Sequence, residues 1–475
     1  MTARRTIAFP ALAALLLAGC ASTGNIQPQV AQVAPASLGL DADTATIDGA
    51  WWHAFGDPQL DTLIAAGFAG NPSLAGALAR VRLAQSQVDV QHAGELPQVT
   101  ALGTVQELRF SDHFIGPGGT SALGLVQGTL NWNVDLFGRQ RAMVDQARSS
   151  AQAAALDEAA ARLMLSTSIA STYVGLAQAN RQIAVADGFV TTRQQAIGYV
   201  QSRIRNQLSS RFDEETAKTL LAEAQQARVR AERQRDLLVH ALAALVGRGA
   251  DFYPQIAAPT LALDSRPRVP DLIPADLLGR RPDLLAGQAR IDATVAGRKV
   301  ARAAFLPNVN ITALASLASI GLGSFFTSGA AQFGGGPAIS LPIFEGGKLR
   351  AQYKGATADL DGAVADYDNA VLGAVRESAD ALTQVRSTDA DLAQQQAVVA
   401  GLRNTVRLDR VRVSTGLGSQ LDSIDSGFRL LEAEQALVGL QADALTRRIQ
   451  LIAALGGGFE PTAPLVAAAQ ADTRS

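Results

Sequence analysis

Two segments of the chain, residues 139–205 and 348–414, run for 67 residues each without a proline and are rich in Ala, Arg, Gln, Glu and Leu. This composition predicts two continuous helices, each roughly 100 Å long at about 1.5 Å per residue. Helices of that length are typical of coiled coils and bundles, not of ordinary globular cores. Shorter helices are predicted at about 72–94 and 282–304, each followed by a proline that ends it.

A different periodicity lies between these helices. Residues 122–136 alternate between apolar or glycine positions and positions that become polar toward the end of the run. The apolar set is Ala122, Gly124, Val126, Gly128, Leu130, Trp132, Val134 and Leu136, and the polar set is Gln127, Thr129, Asn131, Asn133 and Asp135. A period of two residues predicts a β-strand with two unlike faces. The run is long enough to cross a bilayer, since a tilted strand needs about 9–11 residues.

Three further strands are predicted from a weaker alternation. Two of them have the apolar sets Val99, Ala101, Gly103, Val105 and Val309, Ile311, Ala313, Ala315. The fourth strand is expected to place Ile339, Leu341 and Ile343 on one face, and the glycine-rich stretches 116–119 and 334–336 are expected to be loops or strand ends. The pattern leaves two interpretations open: membrane-crossing strands, or a soluble sandwich with one solvated face.

Membrane crossing by these strands has a consequence for assembly. No segment after the N-terminal signal has eighteen consecutive apolar residues, so a helical membrane span is not expected. Four strands cannot close a barrel, and an open sheet edge cannot lie in lipid. Protomers would therefore share one barrel, of eight strands in a dimer, twelve in a trimer or sixteen in a tetramer. Because an eight-stranded interior fills with side chains, a conducting pore needs about twelve strands or more.

The chain repeats itself at an offset of about 210 residues. Matching pairs include Pro72 with Pro282, Pro97 with Pro307, Asp213 with Asp422, Glu223 with Glu432, and Gly247 with Gly456. The pairs indicate two structural copies, 71–247 and 281–456, joined by a proline-rich connector at 248–280. Each copy has a helix, two strands, a long helix and a last helix that ends at Gly247 or Gly456.

The N-terminus indicates export. Two arginines precede an apolar run from Ile7 to Leu17, which is too short to span a bilayer. The run leads into Leu-Ala-Gly-Cys, which resembles the bacterial lipobox, and Cys20 is the sole cysteine. The resemblance implies that residues 1–19 are a lipoprotein signal peptide and that Cys20 carries N-acyl and S-diacylglyceryl groups. Ala21 in place of Asp implies transfer to the outer membrane. The alternative is an ordinary secretory signal with an incidental cysteine.

Composition and motifs exclude several classes of function. A net charge of −2 without a basic block gives nucleic-acid binding no electrostatic support. The four histidines, His53, His92, His113 and His240, lack a metal-binding spacing. The stretch 345–348, Glu-Gly-Gly-Lys, resembles a phosphate loop only superficially, because Pro342 occupies the position of the first glycine. We therefore predict no catalytic, cofactor-binding or metal-binding residue, and we do not expect an enzyme.

Four stretches carry motifs in a fixed order. They are Trp-Trp-His-Ala-Phe-Gly-Asp-Pro-Gln-Leu at 51–60, Asp-Leu-Phe-Gly at 135–138, Leu-Gly-Arg-Arg-Pro-Asp-Leu at 278–284 and Leu-Pro-Ile-Phe-Glu-Gly-Gly at 341–347. Together they resemble the NodT-type outer-membrane factor lipoproteins, the TolC-like exit ducts of tripartite efflux pumps.

This resemblance implies a mainly helical fold with a membrane β part. Three identical protomers would form a twelve-stranded outer-membrane β-barrel, continued by an α-helical barrel in the periplasm. The lipidated segment 20–70, the connector 248–280 and the tail 457–475 would form an equatorial region around the helical barrel.

Each long helix is joined to the last helix of its copy by a short break. By the geometry of the repeat, both breaks lie at the end farthest from the strands, which in the family is the mouth that meets the periplasmic adaptor. The residues expected to contact the adaptor are Asn206, Gln207, Leu208, Ser209, Thr415, Gly416, Leu417, Gly418 and Ser419.

Two carboxylates follow the second break. Asp422 and Asp425 lie three residues apart and share one helix face. The resemblance assigns them to a periplasmic aperture, where six carboxylates from three protomers would attract cations and bias closed against open states. The alternative is helix capping and dipole compensation. The first copy keeps acids at 213–215 but not this spacing, so it is not assigned to the aperture. Candidate partners on the preceding helix are Arg407, Arg410 and Arg412.

These inferences predict a passive exit duct in the outer membrane of a Gram-negative bacterium, both lipid-anchored and membrane-spanning. It would work with a periplasmic adaptor and an inner-membrane transporter, in a pump of the RND type, and export drugs or other small toxic compounds. Two alternatives stay open: the duct of a type I protein secretion system, and a non-conducting structural lipoprotein of the envelope.

Overall fold

The computed structural model of the chain describes residues 25–39, 47–110, 119–270, 272 and 277–459. The helices and strands are α1 Pro58–Gly70, α2 Pro72–Ala93, β1 Gln98–Phe110, β2 Gly119–Val134, α3 Arg139–Arg205, α4 Arg211–Leu245, α5 Pro282–Ala303, β3 Asn308–Ile320, β4 Ala331–Ser340, α6 Lys348–Ser414 and α7 Gln420–Ala454. Short 3₁₀ helices lie at Pro35–Leu38, Trp51–Phe55, Ala250–Gln255, Leu322–Ser324 and Ser328–Ala330, and one helical turn lies at Leu277–Arg280.

The order helix, strand, strand, long helix, last helix occurs twice, from α2 to α4 and from α5 to α7. The copies match in length: 22 residues in α2 and α5, 13 in β1 and β3, 67 in α3 and α6, and 35 in α4 and α7. Only the second strands differ, with 16 residues in β2 and 10 in β4. The tandem repeat and the predicted long helices are thereby confirmed.

The four strands form one antiparallel sheet in the order β1-β2-β3-β4. The register places Val99 opposite Leu130, Leu130 opposite Ala313, and Ala313 opposite Gly335. Because opposite residues point to the same side, the apolar sets predicted for β1, β2 and β3 share one face. Pro337 and Ile339 of β4 extend that face, opposite Ile311 and Val309.

This shared face is mostly apolar, with Glu107 and Arg109 at one end of β1 and Ser319 near the end of β3. Val99, Val105, Phe333 and Ile339 are 74%, 68%, 86% and 73% exposed in the single chain. The opposite face is polar toward one end of the sheet and apolar toward the other. Its polar end carries Gln98, Thr100, Asn131, Asn133, Asn310 and Thr312, and its apolar end carries Leu102, Leu123, Leu125, Leu314 and Ile320. The exposed apolar residues on this face favour contact with lipid or another protein.

The end of β4 differs from the prediction. The strand ends at Ser340, opposite Asn308, so Leu341 and Ile343 lie beyond it and do not extend its face. Pro342 accounts for the difference, because proline donates no backbone hydrogen bond and also restricts the residue before it.

The glycines of β4 also differ from the prediction. Gly334, Gly335 and Gly336 were expected in a loop or at a strand end, but they lie inside β4 opposite β3. A Cβ on Gly335 would lie 2.6 Å from the carbonyl oxygen of Thr312, so only glycine fits this close strand approach. Of the stretch 116–119, Gly119 begins β2 and the other residues lie outside the described ones.

β2 ends at Val134, two residues before the predicted end. The amide of Leu136 donates to the carbonyl of Val134 at 2.9 Å, which turns the chain. Asp135 Oδ2 accepts from the amide of Arg141 at 2.9 Å and so satisfies a free donor at the start of α3. The strand therefore stops where Asp135 is used as a helix cap.

The chain divides into two compact units. The first contains the sheet and comprises the described residues up to Val33, with 80–155 and 286–369. The second comprises 34–79, 156–285 and the described residues from 370 onward, and it contains the largest hydrophobic core. Buried members of this core are Trp51, Phe55, Leu60, Ile64, Ile169, Tyr173, Leu176, Leu242, Leu445 and Ile449.

A buried carboxylate organises one side of this core. Asp57, which is 3% exposed, caps α1 by accepting from the amide of Gln59 at 3.0 Å. Its Oδ2 accepts from the hydroxyl of Tyr173 at 2.8 Å and from the amides of Thr260 and Leu261, each at 2.9 Å. Burial raises the pKa of Asp57, but these hydrogen bonds outweigh it and hold the pKa below its usual value. The carboxylate thus joins α1, α3 and the connector.

Each last helix ends two residues before the glycine that the sequence places at its C-terminus. Gly247 and Gly456 have φ angles of 75° and 92°, in the left-handed region. A Cβ there would lie 2.0 Å from the carbonyl oxygen of Gly70 and 2.4 Å from that of Arg280, respectively. The same contact therefore closes each copy, where its last helix meets the start of its first helix.

Among the helices of the described chain, none alone is long and apolar enough to cross a membrane. The pair α1 and α2, bent by 46° at their junction, reaches that length and hydropathy only when taken together.

Candidate functional site

The break between α6 and α7 is a well-defined helix-ending turn. Gly416 has a φ of 72°, and its amide donates to the carbonyl of Val413 at 3.1 Å. The next amide, that of Leu417, donates to the carbonyl of Arg412 at 2.8 Å. This pair of bonds is the Schellman motif, in which a left-handed residue satisfies the last carbonyls of a helix. Gly418 follows so closely that a Cβ would lie 2.9 Å from the Cβ of Arg412.

The break between α3 and α4 has the same geometry. The amide of Gln207 donates to the carbonyl of Ile204 at 2.9 Å, and that of Leu208 donates to the carbonyl of Arg203 at 2.8 Å. Gln207, with a φ of 59°, is the only non-glycine residue with positive φ in the described chain. The two turns are therefore structural equivalents, and the first holds a glutamine where the second holds Gly416.

The helices after the two turns are capped differently. Ser210 and Asp213 form a capping box at the start of α4, in which the amide of Ser210 donates to Asp213 Oδ2 at 2.8 Å. These hydrogen bonds lower the pKa of Asp213. At α7 the cap is Ser419, whose Oγ accepts from the amide of Leu421 at 3.1 Å. Asp422 occupies the position equivalent to Asp213 but takes no part in hydrogen-bond capping.

Both predicted aperture carboxylates are exposed. Asp422 makes no hydrogen bond or ion pair with any residue that the structure describes. Asp425 lies 3.0 Å from Arg429 on its own helix, and because these side chains are 61% and 69% exposed the pair is weak. Both carboxylates thus remain available to ions or to another protomer, while Asp422, in the first turn of α7, also suits the helix dipole.

Arg193 of α3 is a basic residue near Asp425 that the sequence did not single out. Its Cζ lies 3.3 Å from the centroid of the Phe428 ring, which stacks in turn on Phe189. Burial lowers the pKa of Arg193, although attraction to Glu223, Glu432 and Asp425 opposes this shift. The one sequence feature that could have pointed to Arg193 was the repeat-related pair Glu223 and Glu432. Residue spacing does not predict where these glutamates lie relative to α3.

The predicted arginine partners do not meet the aspartates within one chain. Arg407 donates to Asn404 Oδ1 at 3.1 Å, and Arg412 lies 3.9 Å from Asp409. Arg410 lines a separate polar groove of about 280 Å³ between α3, α6 and α7. Their assignment as partners of the aspartates stays a prediction.

A larger groove lies beside the first turn. It has a volume of about 620 Å³ and lies between α3, α4 and α7. Leu208 and Ser209 of the first turn line it together with apolar and charged side chains, among them Tyr199, Arg193, Arg203, Phe212, Leu421, Asp422, Asp425 and Phe428.

Each turn also presents two apolar side chains to solvent. Leu208 and Phe212 are 64% and 78% exposed, and their equivalents Leu417 and Leu421 are 76% and 52% exposed. Exposed apolar residues at matching positions of both copies are typical of an interaction surface.

Residues suited to metal chemistry do not cluster in the described part of the chain: no three His, Cys, Asp or Glu side chains approach closely enough to hold an ion. His53 lies 2.8 Å from Asp61, His92 lies 3.0 Å from Glu95, and His240 stacks on Tyr253 at 4.3 Å between ring centroids. Cys20 and His113 lie outside the described residues.

The profile of one protein family, described as outer membrane efflux protein, matches the chain twice, at residues 64–248 and 273–457. The chain belongs to the outer membrane efflux protein family. It is 31% identical over 481 residues to the fusaric acid resistance protein FusA of Burkholderia cepacia, covering 96% of this chain and 89% of that protein. It is also 31% identical to the multidrug resistance outer membrane protein MdtP of an Escherichia coli strain, covering 95% and 96%.

Solved structures of outer membrane proteins share the fold. The outer membrane protein VceC of Vibrio cholerae superposes with a TM-score of 0.79 at 31% identity, over 87% of this chain and all of that one. The MtrE outer membrane channel of Neisseria gonorrhoeae, solved in its open state, gives 0.77 at 25% identity, over 91% and 97%. The predicted family, mainly helical fold and outer-membrane location are confirmed, and the chain is an outer-membrane efflux channel protein with a periplasmic extension.

Proposed function

We propose that three copies of this chain form the exit duct of a tripartite efflux pump, with one twelve-stranded barrel in the outer membrane. The carrying observation is the four-stranded sheet. β1 and β4 each pair with a single neighbour among the described strands, and the face that includes Val99 and Phe333 is apolar and exposed. Three such sheets joined edge to edge close a barrel wide enough to conduct, with the apolar face toward lipid.

The two turns supply the docking surface for a periplasmic adaptor. The exposed pairs Leu208 with Phe212 and Leu417 with Leu421 would give each protomer two similar contact points, and three protomers would present six. An inner-membrane transporter, of the RND type by resemblance, would deliver substrate through the adaptor. The duct itself is passive and performs no catalysis.

Drugs or other small toxic compounds are the proposed cargo. The relatives FusA and MdtP are named for resistance to fusaric acid and to multiple drugs. Deleting the gene and exposing the strain to a broad panel of toxicants tests this assignment. Sensitisation restored by the intact gene supports it, whereas unchanged susceptibility with loss of a secreted protein identifies a secretion duct instead.

Cys20 is the proposed lipid attachment site, with N-acyl and S-diacylglyceryl groups. Intact-mass spectrometry of the purified protein tests this, since acylation adds the lipid mass to a chain that begins at Cys20. A chain that begins elsewhere and carries no added lipid mass would contradict the assignment.

Asp422 and Asp425 are proposed to line the periplasmic aperture. In planar bilayers, the double variant Asp422→Ala, Asp425→Ala should conduct more than the wild type and select less for cations, because six carboxylates leave the constriction. Asp213→Ala is the matched control, since it removes a hydrogen-bonded capping carboxylate of the other copy. Unchanged conductance in the double variant would leave these aspartates a helix-dipole role only. A folded trimer that never conducts, even with both replaced, would refute the channel.

A further inference from the structure

Residues 26–34 run without helix or strand and are held by two aspartates of α6 in the first unit. The amides of Gln29 and Val30 both donate to Asp361 Oδ1, at 2.8 and 3.1 Å. The amide of Val33 donates to Asp368 Oδ1 at 3.0 Å. We name residues 26–33 the strap. Each contact joins a backbone donor to a carboxylate, which is the stronger class of hydrogen bond.

The spacing of the two acceptors matches the strap. Asp361 and Asp368 are seven residues apart, which is two helical turns or about 10.5 Å along α6. Val30 and Val33 are three residues apart, which spans about 10 Å in extended backbone. Two carboxylates on one side of a helix can therefore bind successive donors of an extended chain without bending either element.

A second helix also contacts the strap. Arg298 of α5 donates from Nη2 to the carbonyl of Ile26 at 3.3 Å, and from Nε to Thr357 Oγ1 of α6 at 3.1 Å. Gln32 Nε2 donates to Gln288 Oε1 of α5 at 2.9 Å. The strap therefore crosses α5 and α6, the first helix and the long helix of the second copy.

Burial contributes little to this attachment. Most strap residues are exposed, and Val30, one of the two residues bonded to Asp361, is 39% exposed. Pro28, which has no amide hydrogen, precedes the first donor and favours an extended chain. Hydrogen bonds to the two aspartates, not apolar packing, hold the strap in place.

We propose that Asp361 and Asp368 form a backbone-binding site for the strap and fix the N-terminal part of the described chain across α5 and α6. Because the site binds amides, it tolerates side-chain changes in the strap but not loss of its donors. This proposal stands independently of the exported substrate and of conduction.

Hydrogen–deuterium exchange of the full-length protein in detergent tests the site. The amides of Gln29, Val30 and Val33 should exchange slowly in the wild type. In the variant Asp361→Ala, Asp368→Ala, the peptide covering 26–33 should exchange about tenfold faster or more. The matched control is Asp359→Ala, Asp366→Ala, which removes two exposed carboxylates of the same helix that bond to no described residue. The control should exchange like the wild type.

A variant in the strap itself separates loss of the site from damage to α6. Replacing Gln29, Val30 and Val33 by proline removes the three donors and leaves both helices intact. A spin label on a cysteine placed at Gln27 should then be more mobile by electron paramagnetic resonance than in the wild-type strap, with hydrogen exchange in α5 and α6 unchanged. Wild-type strap amides that exchange as fast as an unstructured peptide, or equal label mobility with and without the three prolines, would overturn the proposal.

Discussion

Tyr173→Phe removes one hydroxyl from the carboxylate cluster at Asp57. The Tyr173 side chain is fully buried, donates to Asp57 Oδ2 and accepts from Gln59 Nε2 at 2.9 Å. The amide group of Gln59 keeps a second acceptor, the carbonyl of Ala257 at 3.0 Å, so it is not left unpaired. Asp57 keeps its three backbone donors. The change therefore costs a single hydrogen bond to a charged acceptor, about 1.5–3 kcal/mol of unfolding free energy.

The unfolding free energy lost in Tyr173→Phe should depend on pH in a defined direction. The folded-state pKa of Asp57 lies below its usual value, and the hydrogen bond from Tyr173 contributes most to lowering it. A lowered pKa stabilises the fold above the unfolded-state pKa of about 4, and this stabilisation is lost as the pH falls through the folded-state value. The difference between wild type and Tyr173→Phe should be largest near neutral pH and shrink below about pH 4.

At alkaline pH, ionisation of Tyr173 makes the folding stability change with pH in the opposite direction. Burial and then the hydrogen bond to Asp57 raise the pKa of Tyr173. The buried neutral phenol therefore stabilises the fold below about pH 10, and this contribution is lost as the pH rises further. Phenylalanine cannot ionise, so the variant should lack this alkaline loss.

Thermal unfolding followed by helical circular dichroism in detergent measures the effect. Tyr173→Phe should lower the midpoint by roughly 1.5–3 °C at neutral pH, because a chain of 475 residues has an unfolding entropy of about 1 kcal/mol/K. Tyr199→Phe is the control, because its hydroxyl has no hydrogen bond to any residue in the described part of the chain and its removal should change little. Equal midpoints for the two variants would refute the role assigned to Asp57.

Two further predictions concern glycine positions. Gly416→Ala should destabilise its turn by about 1–2 kcal/mol, while Gln207→Gly should stabilise the equivalent turn by about 1 kcal/mol. Hydrogen exchange of the two turns measures both effects. Opposite or equal shifts would contradict the left-handed geometry of these two positions. Gly247→Ala should cost well over about 3 kcal/mol, because its Cβ would meet the carbonyl oxygen of Gly70 at 2.0 Å and backbone cannot yield. Gly401→Ala, a helical glycine with open space around it, should instead stabilise by about 0.5–1 kcal/mol, and yields and thermal midpoints distinguish the pair.

The long helices were predictable because their signals are local. Composition and the absence of proline determine 139–205 and 348–414, and glycines mark the ends of the last helices. The apolar face of the sheet followed from the alternation in β1, β2 and β3. β4 was harder, because three consecutive glycines usually mark a loop. The close approach to Thr312 explains Gly335 in a strand, whereas Gly334 and Gly336 have open space around a Cβ and the structure does not explain them.

Parts of the candidate site depend on contacts between distant segments, which no local pattern of residues predicts. Asp213 and Asp422 occupy equivalent positions, yet only Asp213 closes a capping box, because Ser419 at the start of α7 bonds a different amide. Arg193 became relevant only through its packing on Phe428. The strap could not be predicted either, because its contacts with Asp361 and Asp368 are made by backbone amides. Every residue except proline has such an amide, so no sequence pattern marks these donors.

The strap also limits how far the sheet-bearing unit can move from the lipid surface. Ile26 lies six positions after Cys20, and a fully extended chain of that length reaches about 20 Å. With Cys20 acylated, as proposed, the contact between Ile26 and Arg298 must stay within about that distance of the headgroups. The acyl chains would then limit how far the protein can move along the membrane normal, besides anchoring it. Releasing the strap would lengthen the free chain between Cys20 and the folded protein without detaching the protein from the membrane.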